Sequence, residues 1–253
     1  MSIPVQLVQS PNMTDWLSFE PNRVQVMSGR VELGQGNMTA LLQIAADELD
    51  VHIDQITIVG GDTRQTPNEG FTSGSLSITQ SGMAIRWAAS AARELFISTL
   101  TKKQQINRER VTVEAGFFYL DSKPTNQSYW TLLSEVDLNQ KVEIFAKPKA
   151  SANRKLTGVS VPRIDIAERI MGTPFVHDIV MPQMVYGRMV HPPCLGAKLK
   201  LFNDQSIKSI NGVLGIWQDG EIFGLIAEST HIANLACERA HSKVEWSLPD
   251  QSP

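Results

Sequence analysis

Two short turns rich in glycine and hydroxyl residues, Glu32-Leu33-Gly34-Gln35-Gly36 and Phe71-Thr72-Ser73-Gly74-Ser75-Leu76-Ser77, each run straight into a segment with helical apolar spacing. A helix start leaves backbone N–H groups unpaired and carries the positive end of the helix dipole, while Gly and Ser let a phosphate-like group approach the main chain. Two such turns close together in sequence predict one anion site built from both, provided that the fold sets them side by side.

The segments around the turns read as a strand–turn–helix repeat. Residues 22–33 alternate Val24, Val26, Val31 and Leu33 with polar partners around Ser28-Gly29, which predicts two short strands. Met38, Leu41, Leu42, Ile44, Ala45 and Leu49 then recur at helical spacing, with Asn37 or Thr39 placed to cap. Residues 53–59 read as a strand closed by Gly60-Gly61-Asp62, and residues 81–100 as an alanine-rich helix in which Trp87 is expected to pack tightly. Beyond these, residues 110–120 predict a strand with a partner, residues 129–136 a short helix, and residues 147–159 a polar linker. A domain boundary is placed there, giving units 1–146 and 147–253. Strand and helix patterns alternate after it: helices at 164–171 and 231–240, and strands at 184–190, 222–227 and 243–246. This order of elements is α+β.

Composition narrows the function. With 253 residues, 42% hydrophobic and 19% charged, the chain is long enough for two ordinary globular domains. A net charge of −3 supplies no basic field for nucleic acid, and the Lys102-Lys103 and Lys147 to Lys149 clusters are short. Cys194 and Cys237 match no metal or redox spacing, so both are expected to be plain thiols. His52, His177 and His191 are scattered, and no zinc site is expected. Met181, Met184 and Met189 read as core or interface filler. Asp47, Glu48 and Asp50 sit at the unfavourable end of a helix dipole, and a solvated face is expected for them, with a basic partner as the alternative. No run is long enough to span a bilayer, and a cytoplasmic location is the expectation, with the periplasm reached if a partner's signal carries the complex.

Val31-Glu32-Leu33-Gly34-Gln35-Gly36, the segment Gln43-Ile44-Ala45-Ala46-Asp47-Glu48-Leu49-Asp50-Val51 and the turn Gly74-Ser75-Leu76-Ser77 together resemble the molybdenum-binding subunits of the xanthine dehydrogenase/aldehyde oxidase family. The order of parts is similar to its isoquinoline 1-oxidoreductase and nicotinate dehydrogenase branch. Further matching pieces are Val161-Pro162-Arg163-Ile164-Asp165-Ile166, Gly172-Thr173-Pro174-Phe175-Val176-His177-Asp178, Met181-Pro182-Gln183-Met184 and Val244-Glu245-Trp246. The resemblance implies a molybdopterin-binding α/β segment followed by an α/β hammerhead-like domain. It also implies cofactor-binding roles for Gly34, Gln35, Gly36, Thr72, Ser73, Gly74, Ser75 and Ser77, with Gln35 approaching the pterin and the hydroxyl-rich turn gripping pyranopterin and diphosphate. The cofactor implied is molybdopterin cytosine dinucleotide with molybdenum. No residue here is expected to bind the metal directly.

The family's catalytic base is a glutamate in a Gly-Glu-Pro-like context near the end of a much longer subunit, and this sequence has no such motif; Glu228 in Ala227-Glu228-Ser229 is not it. A Gly-Gly-x-Phe-Gly motif is missing too. The chain therefore resembles the first third of a molybdenum subunit, either a split subunit or a fragment of a longer one; a split subunit is expected, with a second polypeptide carrying the catalytic glutamate. A small [2Fe–2S] subunit, and a cytochrome or flavin subunit beyond it, are the partners implied. The implied activity is oxidation of an aldehyde, or hydroxylation of an N-heterocycle with water as oxygen source, on a small-molecule substrate. Two further readings stand beside it: a non-catalytic binding or assembly subunit derived from the same fold, and a phosphate or nucleotide binder unrelated to molybdenum. An exposed apolar surface is expected in either subunit reading, where the rest of the cleft must dock.

Overall fold

The computed structural model describes residues 3–172 and 178–250, which form two compact units dividing at Met171 and Gly172. Both are α+β. The first opens with a short helix α1 (Gln6–Gln9) and strands β1 (Leu17–Glu20) and β2 (Arg23–Ser28), paired antiparallel with Leu17 opposite Val26. Helix α2 (Asn37–Leu49) crosses over to β3 (Ile56–Gly60), which lies parallel to β2 with Val24 opposite Ile56. The crossover delivers the chain to α2 through residues 29–36, so the first turn sits at the carboxyl end of β2.

Helix α2 forms because Met38, Leu41, Leu42, Ala45 and Leu49 put one apolar stripe on the sheet, and all five are buried. It stops at Asp50, whose left-handed backbone (φ 54°) lets its N–H bond to the Ala46 carbonyl. The second turn leads into a π-helical stretch, Ser77–Gly82, continued by helix α3 (Met83–Gln104). Ala84, Ala88, Ala91 and Ala92 are completely buried there, and at Gly82 a Cβ would stand 3.0 Å from Ile44 Cδ1. Small side chains thus allow α3 to lie directly on α2. Trp87 is buried in this packing, as expected.

A meander of β4 (Val111–Glu114), β5 (Phe117–Leu120) and β6 (Lys123–Ser128) leads to short helices α4 (Tyr129–Leu132) and α5 (Val142–Phe145). Pro124 is tolerated because β6 is an edge strand. Tyr129 anchors the core: its ring contacts Phe19, Phe96 and Phe118, and its hydroxyl donates to the Leu49 carbonyl at 2.8 Å.

Residues 147–165 form an extended strap along α2 instead of a free linker. Thr39 Oγ1 accepts from Ile164 N at 3.1 Å, and Gln43 Nε2 donates to the Leu156 and Val159 carbonyls at 2.9 Å each. The Asp47 carboxylate accepts from Lys155 N, Leu156 N and Thr157 N at 2.8, 3.3 and 3.0 Å. Positions 39, 43 and 47 share one helix face, so one row of polar side chains binds one extended segment. The strap therefore packs with the first unit, whereas the sequence reading begins a second domain at 147. Helix α6 (Ile166–Ile170) closes the unit.

Asp47 and Glu48 are accordingly buried, which corrects the expected solvated face. Glu48 lies 3.3 Å from Arg86 and 3.5 Å from Arg93 and accepts from Lys149 N, while Lys149 Nζ reaches Asp50 at 2.6 Å. Burial pushes the Glu48 carboxyl up, against the pull of Lys149, Arg93 and Arg86. Burial also raises the Asp47 carboxyl, but the hydrogen bonds from Thr157, Lys155 and Leu156 outweigh it and hold the group below its ordinary value of 3.8. The stability that Asp47 lends is thus complete above pH 3.8 and is lost as the pH falls through the lower folded value. Asp47→Ala is expected to cost about 2 kcal/mol at neutral pH. In urea melts, its deficit relative to the parent chain should shrink as the buffer is taken down to pH 3; an equal deficit at both ends would contradict the role given to the carboxylate.

The second unit contains β7 (Tyr186–Val190), β8 (Lys198–Phe202), α7 (Gln205–Lys208), β9 (Val213–Asp219), β10 (Ile222–Ala227), α8 (Thr230–His241) and β11 (Val244–Ser247). β7, β10 and β9 form an antiparallel sheet with β10 in the middle, and β8 pairs with β11. Phe223, Leu225, Val190, Ile207, Ala236 and Ala240 make its core. Met181, Met184 and Met189 are not core residues; all three are exposed.

A pocket between two turns

The second strand expected within residues 22–33 does not form, and the reason defines the site. After Ser28 the backbone turns off the sheet, and Ser28 Oγ and Gly29 N both donate to Glu69 Oε2, at 2.6 and 2.7 Å. Gly29 permits this approach, since a Cβ there would stand 2.2 Å from the Pro67 carbonyl oxygen. The next residue, Arg30, is 1% exposed; its Nε donates to Ser81 Oγ at 2.8 Å and its Nη1 to the Phe71 carbonyl. Arg30 Nε lies 4.0 Å from Glu69 Oε1. Val31 N donates to Thr72 Oγ1 at 2.9 Å, and Asn37 Nδ2 donates to the Val31 carbonyl and to Ser77 Oγ, at 3.1 and 3.5 Å. The two turns are laced together over a buried Arg–Glu pair.

The seam opens as a pocket of about 480 Å³ lined by Gln35, Gly36, Thr72, Ser73, Gly74, Ser75 and Ser77, with Leu33, Asn37, Ala40 and Ile78. Of the eight residues singled out from the sequence, seven line it. Gly34 lies outside the lining, with its N–H on Glu32 Oε1 at 2.8 Å and its carbonyl accepting from Arg163 Nη1 at 2.8 Å. The Gln35 amide is folded onto its own turn, accepting from Leu33 N at 2.5 Å and donating to the Val31 carbonyl at 3.1 Å.

The two helix mouths are not equivalent. Neither Asn37 nor Thr39 caps α2, and Gly36 precedes it in the left-handed region. The Glu32 carboxylate does the capping, accepting from Gly34 N and Gly36 N at 2.8 Å and from Met38 N at 3.3 Å. An internal anion therefore fills the first mouth. Among the described residues no such side chain meets the second, at Ser73 to Ile78, which lines the pocket, with Gly74 (φ 63°) and Ser75 (φ 57°) both left-handed. The Ser77–Gly82 stretch carries π-type hydrogen bonding, a local form frequent at functional sites.

The residues fit a polar, phosphate-bearing ligand. Gly36 and Gly74, both at positive φ, leave parts of the pocket wall without side chains, and hydroxyls share the rest with Gln35, Asn37 and the apolar Leu33, Ala40 and Ile78. Asn37 Oδ1 is buried in this wall with no hydrogen-bond partner, an acceptor suited to a ligand N–H. Around the rim Leu33 (61% exposed), Phe71 (92%), Val31 and Ile78 leave apolar surface in water, the kind of face expected where another chain docks. A cavity of about 610 Å³ at the other end of α2 is lined by Asp47, Asp50, Asp54 and Glu114 with Lys155 and His52, an excess of negative charge that disfavours an anion.

Sequence reasoning missed Arg30, Glu69 and Arg163. The first two had no local signal, while Arg163 stood in a motif quoted for the resemblance. Its guanidinium pairs with Asp165 at 2.8 Å, holding that carboxyl well below the ordinary range through this contact and a second one from Arg169, against the cost of desolvation. Among the other motifs of the resemblance, residues 173–177 lie outside the described residues, as does His177 of the scattered histidines. Cys194 and Cys237 are both free thiols.

The sequence pattern of the molybdopterin cofactor-binding domain matches residues 15–162, spanning both turns and most of the strap. The chain is similar to a nicotinate dehydrogenase subunit of Pseudomonas putida, at 31% identity over 90% of this chain and 20% of that protein. It is also similar to the β subunit of isoquinoline 1-oxidoreductase of Brevundimonas diminuta, at 21% identity over 99% of this chain and 37% of that one. Among solved structures, quinoline 2-oxidoreductase from Pseudomonas putida 86 aligns over 46% of this chain and 15% of its own, with 26% identity and a TM-score of 0.39. The chain thus spans between a fifth and about two fifths of the length of the two relatives named. With more than half of its residues inside the match, this chain belongs to the molybdopterin cofactor-binding domain family.

Proposed function

We propose that this chain supplies one wall of a molybdopterin cytosine dinucleotide site in a molybdenum hydroxylase complex that oxidises an aldehyde or hydroxylates an N-heterocycle. The observation that carries this reading is the one pocket formed jointly by two turns that α2 and β3 separate in sequence, inside a domain of a cofactor-binding family. The names of the relatives, a nicotinate dehydrogenase subunit and an isoquinoline oxidoreductase subunit, support the substrate class.

When bound, the molybdenum–pterin group supplies the redox centre at which the substrate carbon is oxidised. This chain binds and orients. Ser73, Ser75 and Ser77 offer hydroxyls, and the backbone of Thr72, Gly74, Ser75 and Ser77 offers N–H groups, to a phosphate or ring edge, while Ser73 N and Leu76 N are spent on the Phe71 and Ser73 carbonyls. Asn37 accepts from the ligand, and Glu32, by capping α2, directs the negative group to the second turn. Gln35 and Gly36 present main chain, because the Gln35 amide is spent within its turn. A second polypeptide supplies the glutamate base and covers Phe71 and Leu33, and a [2Fe–2S] subunit passes electrons to a cytochrome or flavin subunit. The unit from residue 178 onward serves as the hammerhead-like domain, and the complex works in the cytoplasm unless a partner exports it.

Molybdenum and acid-released cytidine monophosphate, measured on the complex that co-purifies with this chain, test the reading. Near-stoichiometric amounts of both are expected. A stable complex that contains neither is the outcome of the assembly-subunit reading, and saturable nucleotide binding by this chain alone is that of the molybdenum-free one.

A further inference from the structure

The strap ends on the first turn. Arg163 Nη1 donates to the Gly34 carbonyl at 2.8 Å, and Arg163 Nη2 lies 3.7 Å from the same Glu32 Oε1 that holds Gly34 N and Gly36 N. A Cβ at Gly36 would stand 3.8 Å from the Arg163 Cδ and Nε atoms, so this side chain lies along the turn. Asp165 clamps the guanidinium from the far side, with Nε at 3.0 Å and Nη2 at 2.8 Å, and Thr39 fixes the strap next to it through Ile164 N. Gly34 (φ 105°) and Gly36 (φ 77°) have no side chains to limit their backbone, so the turn owes its shape to the hydrogen bonds of Glu32 and Gln35 and to the contact of Arg163 from outside.

We infer that Arg163 is a positioning residue for the cofactor pocket: it locks the Gly34-Gln35-Gly36 turn, through the Gly34 carbonyl and the Glu32 carboxylate, in the shape that lines the pocket. The inference rests on the cofactor reading above for its functional consequence, while the locking of the turn stands on this chain alone. A planar guanidinium suits the task because it serves a carbonyl, a capping carboxylate and Asp165 at once from fixed directions, which an ammonium group does not. Arg163 is not itself among the residues that line the pocket, so its effect is transmitted by the backbone of residues 34–36 against which it lies.

The test compares the purified complex carrying the parent chain with those carrying Arg163→Ala, Arg163→Lys and Gln43→Ala. Hydrogen exchange of the residue 33–36 amides reads the turn itself, and cofactor release on dilution, followed by molybdenum per chain, reads the consequence. Exchange and release are both expected to accelerate about tenfold in Arg163→Ala, the equivalent of one charge-assisted hydrogen bond. Arg163→Lys, which keeps the charge near Glu32, is expected to restore melting temperature but not retention. Gln43→Ala loosens the strap away from the turn and should lower the melting temperature while leaving turn exchange and release unchanged. Parent-like exchange at residues 33–36 in Arg163→Ala overturns the inference, as does a release rate that merely follows melting temperature across all three variants. A parent complex without cofactor defeats the cofactor reading instead, and the exchange result still decides whether Arg163 locks the turn.

Discussion

Replacing Glu69 by alanine is expected to destabilise the first unit by about 3–5 kcal/mol, because it leaves the Arg30 guanidinium buried without its counter-charge. The change also strips Ser28 Oγ and Gly29 N of their acceptor at the point where the backbone leaves β2. For a unit of this size, that loss corresponds to a fall in melting temperature of roughly 6–20 °C. Glu69→Gln retains an acceptor oxygen for Ser28 and Gly29 and removes only the charge, so its cost should be clearly smaller. The double variant Glu69→Gln with Arg30→Met removes both charges; since a buried pair often contributes little net stability, it should recover part of what Glu69→Ala loses. Thermal melts of the four chains check the order, and a Glu69→Ala chain that melts with the parent would sink the view that this pair laces the turns together.

The largest effect on ligand binding is expected from Gly74→Val. Space alone does not forbid it, as a Cβ there would meet Leu76 Cγ at an ordinary 3.5 Å. The backbone forbids it: Gly74 lies at φ 63°, where a β-branched residue is a strong outlier costing about 1–2 kcal/mol. The turn must then leave this conformation, and the pocket wall that Thr72 to Ser77 build is lost. Molybdenum content of the purified complex should fall about tenfold or more, with a melting temperature lowered by only a few degrees, since the turn is exposed and carries little core. Gly74→Ala, with the strain but not the branching, should fall between. Unchanged molybdenum in the valine variant would remove the second turn from the site.

What was legible in the sequence was local. The apolar period from Met38 to Leu49, the alanine face around Trp87 and the small-residue turns each announce themselves within a few positions, and the two turns do meet. What was not legible depends on partners from distant segments. Arg30 and Glu69 are single charged residues in unremarkable surroundings, and only the parallel pairing that sets Ser28 opposite Gly60 brings their loops together. Glu32 was read as part of a motif, not as the anion that fills the first mouth, although a carboxylate so close to an uncapped helix start was a usable signal. The solvated face assigned to Asp47 and Glu48 failed because a helix-dipole argument weighs only the helix itself, whereas the strap brings its own N–H donors. The spacing of Thr39, Gln43 and Asp47 at successive turns held that information. Lys198-Leu199-Lys200-Leu201-Phe202 alternates as an edge strand does, and β8 was there to be found.

Hydrogen exchange at the amides of Thr72 to Ile78 bears most directly on the account, measured on the same purified complex with its cofactor in place and after the cofactor has been removed. Partner subunits cover the rim equally in both states, so the comparison isolates the ligand. These amides are expected to exchange much more slowly in the loaded state, with Gly34, Gly36 and Met38 changing little because Glu32 holds them in either case. A complex fully loaded with molybdenum in which Thr72 to Ile78 exchange at the same rate as in the stripped one would contradict it.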